Sequence, residues 1–443
     1  MELEKQAAQL ARIRTKLEQA LCKDAEFAEF GASSHQYKLA EMLTAGELAD
    51  WEAQYGIKLP EPFAGFLAEI GNGGAGPYYG IYPLAQATSY TELPALQGRA
   101  ALCPGMTAEE WNLLTEPLTG ERDISDEEYE EARNKALGGM LCIGTQGCEY
   151  EMYLVLEGEH RGRIVYTSEF FPDRPFFFVY EDNFLDWYER WLDEIILDYD
   201  NAWFGSRLPG DENTLIQLYR NTPDGKLQAK ALEAMFKFKR IAPSTLEFLK
   251  HVTEHSPRDS KTAISLLCKT SFAAGRPYLQ KLLQSDDAEG ALRALTILHT
   301  YGKNEDRTEF IPLIRQRLER LEGINDAETL RYAGYILKDC DAVNLRDFAP
   351  FLCHTSLVMQ TAAIYAVRDC GNKQESWQII EQMFRTGGTE VLRSSISHWD
   401  VIPHEKLLPY YKAIWPEYKG NPNFREKFTA CLRELHLPDD YLG

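Results

Sequence analysis

The chain has 443 residues, 44% of them hydrophobic and 12% aromatic, which is too long for one ordinary core and rich enough to bury two or three. Its net charge is −21, its apolar runs fall short of the roughly eighteen residues that read as a bilayer span, and its nine cysteines follow no framework spacing. A membrane-embedded chain and a disulfide-stapled secreted domain are both excluded on this reading. The opening MELEKQAAQLARIRTKLEQALCKD is charged throughout and reads as a helix without the apolar core of a secretory signal, so a cytoplasmic location with reduced thiols is expected.

The charge is not evenly spread. Residues 1–205 carry 37 Asp and Glu against 15 Lys and Arg, a difference of −22, whereas residues 206–443 carry 31 against 32. The first half therefore repels nucleic acid and favours cationic partners. A domain boundary is expected at residue 205, giving domains 1–205 and 206–443.

In chain order, TAGELADWEAQYGIKLP opens with Thr44 and Glu47 at capping-box spacing, then sets Leu48, Trp51 and Tyr55 on one helical face. PEPFAGFLAEI follows with Pro62 in a first turn and Phe63, Phe66, Leu67 and Ile70 at helical spacing, with Gly71 expected as the glycine that closes the helix. GNGGAGPYYGIYPL then places Gly71, Gly73 and Gly76 at the literal G-x-G-x-x-G spacing. A dinucleotide fingerprint needs a strand before the glycines and a helix after, and the expected order here is the reverse, so the stretch reads as a helix-to-strand turn.

ERDISDEEYEEARNKALG reads as an acidic helix capped by Ser125. MLCIGTQGC, EYEMYLVLEG, RIVYTSE and FFFVY read as strands of a mostly antiparallel sheet, and a helix follows from Asn183 with Phe184, Trp187, Tyr188, Trp191, Leu192 and Ile195 inward. The fold class is α+β, with a sheet expected to pack one face on helices and leave the other available.

Five of these features resemble the SUKH superfamily of Smi/Knr-like domains when taken in order from about residue 33 to residue 197. They are the acidic helix before GIKLP, the LPEPFAGFL helix, the GNGGAGPYYGIYPL turn, the LCIGTQGCEYEMYLVL hairpin with its GRIVY strand, and the FLDWYERWL helix. The resemblance implies an α+β binding domain with no catalytic signature. Bacterial members of that family include immunity proteins that neutralise polymorphic toxins, often nucleases, and fungal relatives act as cell-wall regulators and hubs.

Beyond Asp211 nearly every segment is helical, and a recurring helix start near Ala231, Thr262, Leu292, Leu330, Thr361, Leu392 and Phe424 gives spacings of 31, 30, 38, 31, 31 and 32 residues. One helical hairpin per repeat is similar to HEAT-like arrays, whose stacked units bury a core that no unit buries alone.

No motif here calls for a cofactor or a metal. HVTEH matches H-x-x-E-H through His251, Glu254 and His255, but it ends at Ser256-Pro257 with no third ligand spaced to join it, so a solvated helix end is expected. Cys142 and Cys148 flank a strand turn without a ligand cluster and read as structural. Tyr78 and Tyr79, beside glycines in a loop, are expected as exposed interface anchors. Asp123, Asp126, Glu127, Glu128, Glu130 and Glu131 form an acidic face suited to electrostatic docking. The expected function is that of a non-enzymatic immunity protein that occludes a basic toxin domain; the alternative is an adaptor or regulatory scaffold whose helical repeats supply the main partner surface.

Overall fold

The structure, a computed structural model, describes residues 2–91, 93–119, 124–147, 150–168, 176–321, 326–352, 354–367, 404–438 and 441. The chain divides into two compact units, Met1–Thr245 and Leu246–Gly443. The change of charge at Gly205 thus lies inside the first unit, because the helices Glu212–Asn221 and Gly225–Ala234 pack there.

Four strands form an antiparallel sheet in the order β1 (Met140–Thr145), β2 (Glu151–Val155), β3 (Ile164–Thr167), β4 (Phe177–Phe178). The register sets Leu141 opposite Leu154, Leu154 opposite Ile164 and Tyr166 opposite Phe177. Successive side chains point to opposite faces. Leu141, Ile143, Met152, Leu154, Ile164 and Tyr166 join a core with Leu10 and Ile13 of the helix Glu2–Lys23, Phe63 and Phe66 of Glu61–Glu69, and Trp187 and Tyr188 of Phe184–Ile196.

The expectation of a free second face is overturned. Met140, Cys142, Tyr153, Val155 and Val165 pack against Trp111 of the helix Ala108–Thr115, against Leu118, and against Ala136 and Leu137 of the acidic helix Asp126–Leu137. The physical reason stands in the strands themselves: MLCI and YLV are apolar at consecutive positions, the pattern of strands covered on both sides.

The helix starts follow their caps. Thr44 and Ser125 each make the reciprocal bonds of a capping box, with Glu47 and Glu128, and the Asn183 side chain accepts from the Asp186 amide. After Phe184–Ile196 the chain is fastened by a buried ionic cluster. Arg190 pairs with Glu181 at 2.8 Å and Glu194 at 2.9 Å, and Lys237, 1% exposed, reaches Glu194 at 3.2 Å. Arg190 Nη2 also donates to the Arg207 carbonyl at 2.6 Å and Lys237 Nζ to the Leu208 carbonyl at 3.1 Å, so two cations from different segments hold the backbone at 207–208.

In the second unit, the helices Ser260–Thr270, Ala288–Tyr301, Ala327–Asp339 and Leu357–Val367 stack in succession, and the first three are followed by Phe272–Gln284, Ile311–Leu318 and Leu345–Leu352. These are the helical pairs of the expected array, around one continuous core from Ile264 to Leu432. Gly334 explains one close approach: a Cβ there would lie 2.5 Å from that of Ala366. Leu392 of the repeat pattern lies outside the described residues.

Removing one member of a buried ionic cluster strands the others without a counter-charge, which costs about 3–5 kcal/mol. Arg190→Met is expected to lower unfolding stability by about that amount in urea titration. Replacing Glu181, Arg190, Glu194 and Lys237 together by leucine or methionine is expected to recover most of the loss; equal destabilisation by the single and the fourfold change would refute the cluster's role.

Candidate partner-binding surface

The glycine stretch is built as a clasp. The helix Glu61–Glu69 ends with Ile70, and Gly71 does not take the left-handed conformation expected of a closing glycine. What Gly71 supplies is space, since a Cβ would come within 2.9 Å of the Ala40 carbonyl oxygen. The left-handed geometry falls two and three residues on, at Gly73 and at Gly74, where φ is 104°. Gly74 bridges Leu39 on one side and Ile81 on the other, exchanging two 2.8 Å bonds with Ile81.

The strand expected after the turn is therefore reduced to that one bridge. Pro83 then opens the helix Leu84–Ser89, whose Leu84 amide bonds the Asn72 side chain. The amides of Gly71, Gly73, Gly74, Ala75 and Ile81 all donate to backbone carbonyls of Phe66, Gly71, Ile81, Lys38 and Gly74. A loop whose donors are engaged in this way has no cradle to offer a pyrophosphate.

Three further bonds pin the clasp from outside. Tyr188 Oη donates to the Ala75 carbonyl at 2.8 Å, Tyr78 Oη to the Phe204 carbonyl at 2.8 Å, and His35 bonds the Gly76 backbone. Tyr78 is thus corrected from an exposed anchor to a buried one, 4% exposed and held at φ 55°. A tyrosine in that strained region persists because its ring and hydroxyl are both fixed. Burial raises its hydroxyl pKa far above the ordinary tyrosine range.

Tyr79 does face outward. It is 42% exposed, packs edge-on to Phe30 with ring centroids 5.5 Å apart, and rests over Gly147 of the β1–β2 turn. Phe30 is 53% exposed and was not marked by any periodicity in the sequence. Together they make an aromatic pair on the surface.

The acidic residues lie on other neighbours. The helix Asp126–Leu137 packs on Leu93–Leu96 and Ala108–Thr115, burying Ala136 and Leu137. Asp126, Glu127, Glu128 and Glu131 are exposed on it, with Glu128 engaged by the Ser125 cap, while Glu130 is half-buried and 3.8 Å from Arg133. Asp123 lies outside the described residues, as does Cys148. Beside the helix, Leu113, 73% exposed, borders a hollow of about 290 Å³ with Ile124, Glu128 and Glu131.

The HVTEH residues are otherwise occupied. His251 and His255 stack at 4.2 Å, His255 Nδ1 lies 3.0 Å from the His251 carbonyl, and Glu254 accepts from Tyr278 Oη at 2.7 Å. Among the described residues no group of three or more His, Cys, Asp or Glu could hold a metal ion, and no helix is long and apolar enough to cross a membrane.

Residues 42–190 match the family model of the SMI1 / KNR4 family (SUKH-1). Comparisons with curated proteins and with solved structures gave no match. The matched stretch includes the clasp, the whole sheet and the acidic helix; the helix Glu2–Lys23 precedes it and docks on Phe184–Ile196, where Arg12 and Lys16 pair with Glu189 at 2.8 and 2.9 Å.

The clasp carries a pH dependence. His35 is buried, its Nδ1 accepts from the Tyr37 amide at 3.0 Å, and burial lowers its pKa from 6.5 to about 4 against the opposing pull of Asp24. The fold thus favours neutral imidazole. Its contribution to stability is full above pH 6.5 and is lost as pH falls from 6.5 toward 4, because the unfolded chain takes up the proton first. Between pH 7.5 and 5 the loss is about 1–2 kcal/mol. His35→Asn keeps an acceptor for the Tyr37 amide, and is expected to flatten that part of the stability curve in urea titrations; an unchanged slope would assign it elsewhere.

Proposed function

The chain carries a SUKH-1 domain over residues 42–190, and from that premise we propose that it acts by binding a protein: it is an immunity protein that occludes a basic toxin domain without chemistry of its own. The observation that carries this reading is the acidic helix, which sets Asp126, Glu127 and Glu131 in solvent within a half-chain of charge −22. Complementary charge of this kind speeds encounter and rejects wrong partners more than it adds affinity. Tyr79 with Phe30 supplies an aromatic contact of the type that anchors interfaces. The stacked helical pairs of the second unit favour the scaffold role as a second reading, because such arrays present extended binding surfaces.

Co-purification from the native cell separates the two. One tight partner carrying a cationic domain supports immunity, and a set of weaker, unrelated partners supports the scaffold. With the partner in hand, Glu127→Lys with Glu131→Lys is expected to slow association about tenfold at low salt while dissociation changes little. Glu128 is left alone in that variant because it caps its own helix. Association of the unaltered chain should also slow with ionic strength, and equal rates at low and high salt would sink the electrostatic part of the proposal.

A further inference from the structure

A cavity of about 820 Å³ lies in the first unit between β3, β4 and the segment from Trp203 to Phe236, within the size range of small-molecule sites. Its walls are aromatic: Phe176, Phe177, Phe178, Tyr180, Trp203 and Phe236 line it. Trp203 is 46% exposed, so a large indole stands on the wall without a cover. Three cations, Arg163, Arg207 and Lys230, share the same hollow with one carboxylate, Glu233, which leaves a surplus of positive charge.

The charge is the unexpected part. Several cations of this unit sit against carboxylates, as Arg12 and Lys16 do on Glu189 and as Arg190 and Lys237 do on Glu194. Arg163 is held by a 2.7 Å bond from Nη2 to the Val179 carbonyl and lies over the Phe178 ring at 5.3 Å, while its buried Nε finds no acceptor. Lys230 is exposed, with Nζ 5.8 Å from the centre of the Tyr180 ring. Neither Arg163 nor Lys230 has a carboxylate within ion-pair distance among the described residues, in a unit, residues 1–245, whose sequence holds 41 acids against 22 bases.

We propose that this cavity binds a small aromatic anion, a planar ring bearing one negative charge on a carboxylate or a phosphodiester, with the ring against Trp203 and Tyr180 and the anionic group toward Lys230 and Arg163. Aromatic walls supply stacking and apolar burial, and Lys230 and Arg163 supply the complement to the anion. A polyanion is disfavoured because the domain's own negative field opposes it, whereas one charge on a small ring enters at modest cost. This site is separate from the acidic helix and does not depend on the protein-binding reading.

Fluorescence titration of the full chain tests it with two probes: 8-anilinonaphthalene-1-sulfonate, an aromatic anion, and N-phenyl-1-naphthylamine, its uncharged parent. Saturable single-site binding of the sulfonate is expected. Lys230→Glu should weaken it about tenfold and leave the uncharged probe within about twofold, since only the anion feels the reversed charge. Lys230→Gln should fall between, and Trp203→Ala should weaken both probes. Displacement of the sulfonate by adenosine 3′,5′-cyclic monophosphate, which carries one negative charge, assigns the phosphodiester form of the ligand, and displacement by indole-3-acetate the carboxylate form. Sulfonate binding that is non-saturable, or insensitive to Lys230→Glu, or displaced by neither competitor overturns the proposal.

Discussion

The rest of the first unit depends on a sheet buried on both faces. Strands that are apolar at consecutive positions expose a second hydrophobic face unless something covers it, and here the segment containing Ala108–Thr115 and Asp126–Leu137 does so through Trp111, Leu118, Ala136 and Leu137. Covering that face also determines which side of the acidic helix is exposed. The helix turns Ala136 and Leu137 to the sheet, which leaves Asp126, Glu127 and Glu131 exposed. The same packing that completes the core therefore displays the charge.

A second constraint fixes the far side of the domain. The two cations of the buried cluster each donate to a main-chain carbonyl at 207–208 as well as to a carboxylate. A buried ion pair gives little net stability against an apolar replacement, but it tolerates few alternative geometries, and here it sets where the 200–208 segment runs. Phe204 in that segment receives the Tyr78 hydroxyl, and Trp203 beside it forms a wall of the basic cavity. The glycine clasp and the cavity are thus positioned by one electrostatic knot.

Local chemistry made much of this legible in the sequence. The capping box at Thr44, the cap at Ser125, the helix from Asn183 and its inward stripe from Phe184 to Ile195 follow from local pattern alone, and the structure places each as read. The turn after Ile70 was legible as a turn but not in its details. Gly71 serves a close contact rather than a left-handed helix end, and YYGIY contributes a single bridge because Pro83 starts a helix. Tyr78 and Tyr79 show the limit most plainly. Adjacent and chemically identical, one is buried by a hydroxyl partner 126 residues away and the other packs on Phe30 at the surface. No local pattern distinguishes them, since what decides is long-range contact. The basic cavity was hidden for the same reason: Arg163 lies in the acidic stretch 1–205 and Arg207 and Lys230 beyond it, so only the fold brings the three to one hollow.

Both signs coexist because they act over different ranges. Exposed carboxylates on a convex helix project a field over roughly a Debye length, about 8 Å at physiological salt, which suits steering of a large cationic surface. Arg163 and Lys230, on the wall of an aromatic-lined hollow, act at contact distance, and the half-buried Arg163 does so with less screening by water. An anion entering the proposed site would cross the domain's negative field, which opposes a multiply charged species more than a ring with a single charge. The charge asymmetry that would favour a basic protein outside would then act as a filter on what binds within.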